Sequence, residues 1–354
     1  MRVLVVGLGS IGQRHVRNLW ALLGDQVELL AVRVRGLNHI LNDALQVESA
    51  DGLCEKYGIR TFGNLEEALA HKPEAAFVCN PNSLHITTAL GIARAGCHLF
   101  IEKPLAHEYA GVEELIAIVE RRRLVATVGY QLRFHPCLTT THRLLESQAI
   151  GRVLAVRAEM GEYMPGWHPY EDYRGAYAVH RALGGGVLLA QIHDMDYLYW
   201  FFGLPRKIFT LGGHLSSLEI DVEDVASTVM QFEKDGFRFP VHLHQDYVQR
   251  PARRTCNIIG DRGRIEVDVL ELTVKVYEGS GQLAQCHEFR SFQRNDLFVE
   301  ETRRFLACIE SGEQPVVTLR DGAQSLRMAL AAKESLETGV VVSLCNNSNN
   351  SDAS

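Results

Sequence analysis

Apolar residues gather in short unbroken runs through the first third of the chain and in alternation through much of the rest. Residues 3–6, 75–79, 98–101 and 125–128 are nearly continuous apolar runs. Runs this short with no polar face are the pattern of inner strands covered on both sides, as in a parallel sheet. A further strand is expected over 27–34. Between the runs, residues 11–23, 64–70, 83–95 and 108–122 follow a helical period. Strands alternating with helices predict an α/β unit built on a doubly wound parallel sheet. Beyond about residue 130 the pattern changes. Strands are expected over 151–162 and across 207–278, with a glycine-led helix over 184–202 between them. Within 237–245, Phe237, Phe239, Val241 and Leu243 alternate with Arg238, Pro240, His242 and His244, which predicts an antiparallel sheet with one face on a core. Two helices, 296–310 and 322–338, follow. The expected organisation is a first domain over 1–127, an α+β domain over 128–340, and a polar, disordered tail over 341–354.

Charge and composition narrow the functional classes. Thirty-six basic against 43 acidic residues leave a net charge of −7, which disfavours nucleic acid as a partner. The eight cysteines contain no C-x-x-C pair, and a reducing compartment is expected. With no leader pattern and no apolar run of membrane-spanning length, a cytoplasmic protein without membrane association is expected.

Gly7, Gly9 and Gly12 form G-x-G-x-x-G directly after a strand and at the start of a helix. In that context Gly7 permits the turn, Gly9 admits a pyrophosphate, and Gly12 lets helix and strand approach. Gly7, Gly9, Ser10, Ile11 and Gly12 are therefore candidate dinucleotide contacts, with the free amides of the helix start meeting the anion. A carboxylate near the end of the second strand would bind the ribose 2′-hydroxyl of NAD. The chain has Arg33 and Arg35 there instead, which favours NADP(H) and leaves NAD(H) open.

Asn80-Pro81 and Glu102-Lys103-Pro104 follow two of the apolar runs, at the strand ends where parallel sheets bind ligands. Together with GLGSIGQRH, VCNPNSLH, IEKPLA, YQLRFHP, WHPYEDYR and GGGVLLAQIHDMDYLYWFFG, they resemble the Gfo/Idh/MocA family of NAD(P)-dependent oxidoreductases over nearly the whole chain. The resemblance implies an N-terminal Rossmann domain and a C-terminal domain with a large open, mostly antiparallel sheet. It implies that Lys103 lies beside the nicotinamide and the reacting carbon, that Glu102, Asn80, Pro81 and His85 serve the cofactor, and that His193 relays the substrate proton. Relatives often carry an aspartate one turn before that histidine. Here the position is Leu189 or Ala190, neither of which ionises.

Tyr130, Arg133, Trp167, His168, Tyr173, Arg174, Gln191, His193 and Asp194 are the candidate substrate contacts, since aromatic rings among polar groups suit sugar faces and hydroxyls. The implied substrate is a sugar or nucleotide-sugar. Two other activities fit the same motifs: a glycosidase that recycles a tightly held NAD, and a non-catalytic dinucleotide and sugar sensor. His242 and His244 share a strand face but lack a third ligand, so no metal is expected. That face is expected to join subunits into a homodimer or homotetramer.

Overall fold

The structure is a computed structural model that describes residues 1–33, 40–42, 45–49 and 52–344. Arg35, one of the candidate cofactor contacts, and the chain beyond residue 344 lie outside the described residues. The chain divides into two compact units. The first comprises Met1–His135, Met164–Ala190 and Ser291–Leu326; the second comprises Pro136–Tyr163, Gln191–Arg290 and the chain from Arg327 onward. Two stretches that periodicity places behind residue 127 thus fold with the first unit.

The first unit holds a six-stranded parallel sheet ordered Arg60–Phe62, Glu28–Val32, Arg2–Val6, Ala75–Val78, His98–Ile101, Ala126–Val128. The order reverses between Arg2–Val6 and Ala75–Val78, the switch point where such sheets open a crevice. Register aligns the strand ends: Val6 pairs with Val78, Val78 with Ile101, and Ile101 with Val128. Gly7, Cys79, Glu102 and Gly129 consequently stand in one row, each amide donating to the carbonyl of a strand-end residue beside it (Val32, Val6, Val78 and Ile101). The late helix Arg294–Ser311 covers one face of this sheet. Phe305 meets the stacked rings of Phe77 and Phe100 edge-on, at 5.6 and 5.7 Å between centroids, and the three rings are buried. Each such side chain contributes about 1.5–3 kcal/mol by burial.

The second unit holds a nine-stranded sheet ordered Leu283–Glu288, Thr273–Glu278, Gly263–Asp268, Arg253–Gly260, Val153–Gly161, Phe237–Asp246, Val225–Lys234, Lys207–Gly213, Val342–Ser343. Every neighbouring pair is antiparallel except Phe237–Asp246 with Val153–Gly161, which is parallel. Val342 and Ser343, expected in the disordered tail, instead pair with Ile208 and Lys207. Phe239, Val241 and Leu243 are buried as the alternation requires, but Phe237 is 49% exposed. It lies at the hairpin end, where the Arg152 guanidinium stacks on its ring at 4.1 Å.

The helix expected over 184–202 is two helices, Val187–Ala190 and His193–Phe202. The carbonyls at the break are claimed by side chains. Lys103 Nζ donates to Ala190 O and Gln245 Nε2 donates to Gln191 O, which also accepts from Asp194 N at 3.4 Å. A helix over Pro136–Glu146, unforeseen across its run of three threonines, has the Thr141 hydroxyl bonded to Cys137 O.

Candidate functional site

The glycine turn fits a dinucleotide on its own geometry. Gly7 has φ +97°, and a Cβ on Gly12 would lie 2.0 Å from Gly7 O. Gly9, by contrast, has open space where its Cβ would be. Gly9 caps the Ser10–Leu23 helix without a side-chain hydrogen bond, and Gln13 N to Gly9 O is the first intrahelical bond, so the amides of Ser10, Ile11 and Gly12 precede the ladder. A helix start with unclaimed amides beside open space is suited to a pyrophosphate. The Tyr170 hydroxyl, from the Met164–Ala190 stretch, hydrogen-bonds Ser10. Burial pushes this phenol up to about 12, with the Ser10 bond opposing. Tyr170 was not among the candidates; the aromatic cluster in WHPYEDYR was the signal. Arg33 follows the second strand, half-buried, its amide on Phe62 O.

The loops after the next two strands are tied together by one ring. His85 is buried, with Nδ1 2.8 Å from Pro104 O and Nε2 2.9 Å from Asn80 O. Asn80 Nδ2 donates to Thr88 Oγ1 at 2.8 Å. Pro81 caps the Asn82–Leu84 turn. Burial lowers the His85 pKa below its ordinary 6.5, while the two carbonyl contacts oppose it. The unfolded chain therefore binds this proton more readily than the folded one, and stability falls as pH drops below 6.5. We expect thermal melts to show that acid-side loss in the wild type and a smaller one in His85→Asn.

Glu102 is buried in the strand-end row. Its Oε1 lies 2.7 Å from His15 Nε2, and its Oε2 accepts from the Lys103 amide at 3.2 Å. The Lys103–Pro104 peptide is cis. Lys103 Nζ donates to Ala190 O at 2.8 Å. The ammonium thus meets a main-chain carbonyl at Ala190, one of the two positions where the family resemblance led to the expectation of an aspartate. Tyr177 lies close enough to feel the Glu102 charge, and burial first, then that charge, pushes its phenol up to about 12.

The remaining candidates separate by unit. Tyr130, Arg133, Trp167, His168, Tyr173 and Arg174 belong to the first. Tyr130 is fully buried. Arg133 is also buried, with Nη1 3.6 Å from Asp321 Oδ1. Trp167 is half-buried; His168 pairs with Glu171 at 2.9 Å and stacks on Tyr170. Arg174 is exposed, bonded to Asp172 and lying over Tyr173 at 4.9 Å. Gln191, His193 and Asp194 belong to the second unit. Gln191 is held by Asp246 O and by Gln245, and His193 opens the His193–Phe202 helix, buried. Asp194 is 0% exposed and bonded to Arg254 at 3.1 Å, so the structure uses it as a buried ion pair rather than as a ligand contact. His242 bonds Ser227 at 2.8 Å and His244 lies 3.3 Å from Asp246. Among the described residues no group of three or more metal-ligating side chains occurs.

Comparison with known proteins agrees with this arrangement. Residues 1–130 match the oxidoreductase family with an NAD-binding Rossmann fold, and residues 138–266 match the Gfo/Idh/MocA C-terminal domain. The chain belongs to the Gfo/Idh/MocA family. Among its relatives, the myo-inositol 2-dehydrogenase of Thermotoga maritima is 28% identical, covering 95% of this chain and 96% of its own. The inositol 2-dehydrogenase 2 of Saccharopolyspora erythraea is 27% identical over 96% and 94%. The WlbA dehydrogenase of Bordetella pertussis, solved with NADH and UDP-GlcNAcA, shares the fold at a TM-score of 0.78 and 22% identity, over 98% and 99%. The row from Gly7 to Glu102 lies at the strand-end edge where open parallel sheets bind their ligands. A nicotinamide dinucleotide, when bound, would supply the hydride chemistry. Gly7, Gly9, Gly12 and the start of the Ser10–Leu23 helix are the groups that fit its phosphates.

Proposed function

We propose that this protein transfers a hydride between NADP(H) and a CH–OH carbon of a sugar, cyclitol or nucleotide-sugar. Lys103 is the group that handles the hydroxyl proton, with His193 as its partner in proton transfer. The Lys103–Ala190 hydrogen bond carries the reading. It fixes the ammonium at the carboxyl edge of the sheet, beside the row that fits the dinucleotide, on a carbonyl that leaves donor capacity for a substrate oxygen. His193 follows Ala190 by three residues along the chain. The polyol and sugar chemistry named for the inositol dehydrogenases and for WlbA supports this substrate class.

The test is mass spectrometry of any dinucleotide retained after purification, then a panel of inositols, sugars and nucleotide-sugars with NADP⁺ and NAD⁺, followed by the absorbance of reduced nicotinamide. Net reduction supports the proposal. Release of free sugar with no net reduction would make the protein a glycosidase, and binding without turnover on any member would make it a sensor. For the cofactor we expect Arg33→Ala to weaken NADPH about tenfold and leave NADH within about twofold, by fluorescence titration. Equal losses would remove Arg33 from 2′-phosphate recognition.

The outward face of the nine-stranded sheet is a proposed subunit contact. Leu211, Val229 and Ile259 are 61%, 49% and 46% exposed there, on strands that carry His242 and His244 between them. Light scattering of the wild type and of Val229→Lys tests it: a monomer in the wild type would remove the contact.

A further inference from the structure

Behind the Glu102–Lys103–Pro104 turn lies a buried carboxyl that the proposed chemistry does not use. Glu301, on the Arg294–Ser311 helix, is 3% exposed, and neither of its carboxyl oxygens has a hydrogen-bond partner among the described residues. Phe298 and Phe305 stand one turn before and one turn after it. Phe298 lies 6.5 Å from the His15 ring, and Phe305 packs on Phe77 and Phe100, which flank the same ring at 5.0 and 4.8 Å. Glu301 therefore faces the aromatic cage around His15. Burial pushes its carboxyl well above the ordinary range, and the charge of Glu102 adds to the effect. Burial of this kind favours the protonated form of a carboxyl, in which it is an O–H donor.

His15 offers the matching acceptor. It is 0% exposed, its Nε2 faces Glu102 Oε1 at 2.7 Å, and its Nδ1 is buried with no partner among the described residues. Glu102, as a carboxylate, also takes the Lys103 amide. It accepts from His15 only if Nε2 carries the hydrogen, and in a neutral ring Nδ1 is then a bare lone pair. The interior thus contains a buried donor without an acceptor and a buried acceptor without a donor, both facing one aromatic cluster. Buried polar groups are almost always paired.

We propose that the carboxyl of Glu301 donates to His15 Nδ1, by a side-chain rotation or through one buried water, and so locks the ring in the tautomer that donates to Glu102 beside Lys103. Glu301 is then a positioning residue acting through His15 and Glu102; its relevance to turnover rests on the role of Lys103 given above. The other charged or titratable groups around this cluster have their own places. The Arg14 guanidinium stacks on Phe298 at 4.7 Å and bonds Asn295. The Cys79 thiol is pushed up by burial and by Glu102, and Glu300 pairs with Arg303 and Arg304.

Side-chain nitrogen and carboxyl-carbon NMR of the ligand-free protein tests the lock without any substrate. The expected result is a protonated Glu301 carboxyl and a His15 ring with hydrogen on Nε2. Glu301→Gln, whose amide still donates, keeps Nδ1 hydrogen-bonded; Glu301→Met, which cannot donate, leaves Nδ1 without that bond and shifts its nitrogen resonance. In turnover, the pH profile should shift in Glu301→Met and match the wild type in Glu301→Gln, and NADPH affinity should fall roughly tenfold in the first and less than about twofold in the second. An ionised Glu301 at neutral pH, or an unchanged His15 Nδ1 resonance in Glu301→Met, overturns the proposal. Should Glu301→Met fail to fold, the carboxyl state in the wild type and the ring in Glu301→Gln still decide it. These readouts can fail while oxidoreductase activity stands, and the reverse also holds.

Discussion

Lys103→Met should lower turnover by about a thousandfold or more, while NADPH affinity stays within about threefold. Methionine keeps most of the stem volume and removes the donor. In the structure the ammonium sits on a neutral carbonyl at Ala190, so among the groups positioned at this edge the lysine carries the positive charge that a developing alkoxide requires. The loss should appear in kcat, measured with saturating dinucleotide under single-turnover conditions. A rate within about tenfold of wild type would show that proton transfer is served by another group, since a positioned acid or base contributes on the order of a hundredfold or more. Arg in place of Lys103 should not restore it, because the guanidinium does not give up its proton near neutral pH.

The second large effect divides two glycines of one motif. A Cβ on Gly12 would lie 2.0 Å from Gly7 O, main chain that cannot yield without moving the strand end. Gly12→Ala should destabilise the protein by about 3 kcal/mol and abolish dinucleotide binding together with it. A Cβ on Gly9 meets nothing within 4 Å. Gly9→Ala should melt where the wild type does, yet bind NADPH on the order of a hundredfold more weakly, because the methyl fills the space the pyrophosphate needs. Thermal melts beside fluorescence titrations separate the two. If Gly9→Ala binds normally, the pyrophosphate does not lie on this turn.

Much of this edge could be read from the chain alone because it depends on local grammar. Short apolar runs place the strands, and their ends place Gly7, Asn80 and Glu102–Lys103 at the one edge where such sheets bind ligands. What could not be read depends on partners distant in sequence. The pattern over residues 296–310 predicts a helix, but not that one of its faces meets His15, Phe77 and Phe100. The interruption at Gln191 coincides with hydrogen bonds from Lys103 and Gln245 to two carbonyls, partners that no window of residues 184–202 contains. Arg133 and Asp194, both candidate substrate contacts, have charged neighbours far off in sequence, Asp321 and Arg254. Glu301 had a visible sign, a carboxylate between Phe298 and Phe305 on the buried stripe of a helix, which is a costly place for a charge without a partner.

The helix that covers Phe77 and Phe100 begins at Arg294, although the strands bearing those rings are complete by Ile101. During synthesis the chain must therefore emerge past Ser311 before the first unit can close. Until then two stacked rings and a buried histidine stand open to water, a stretch of exposure in which chaperone capture or aggregation competes with folding. A gene fragment ending soon after the last strand of the first sheet would be left permanently in that state.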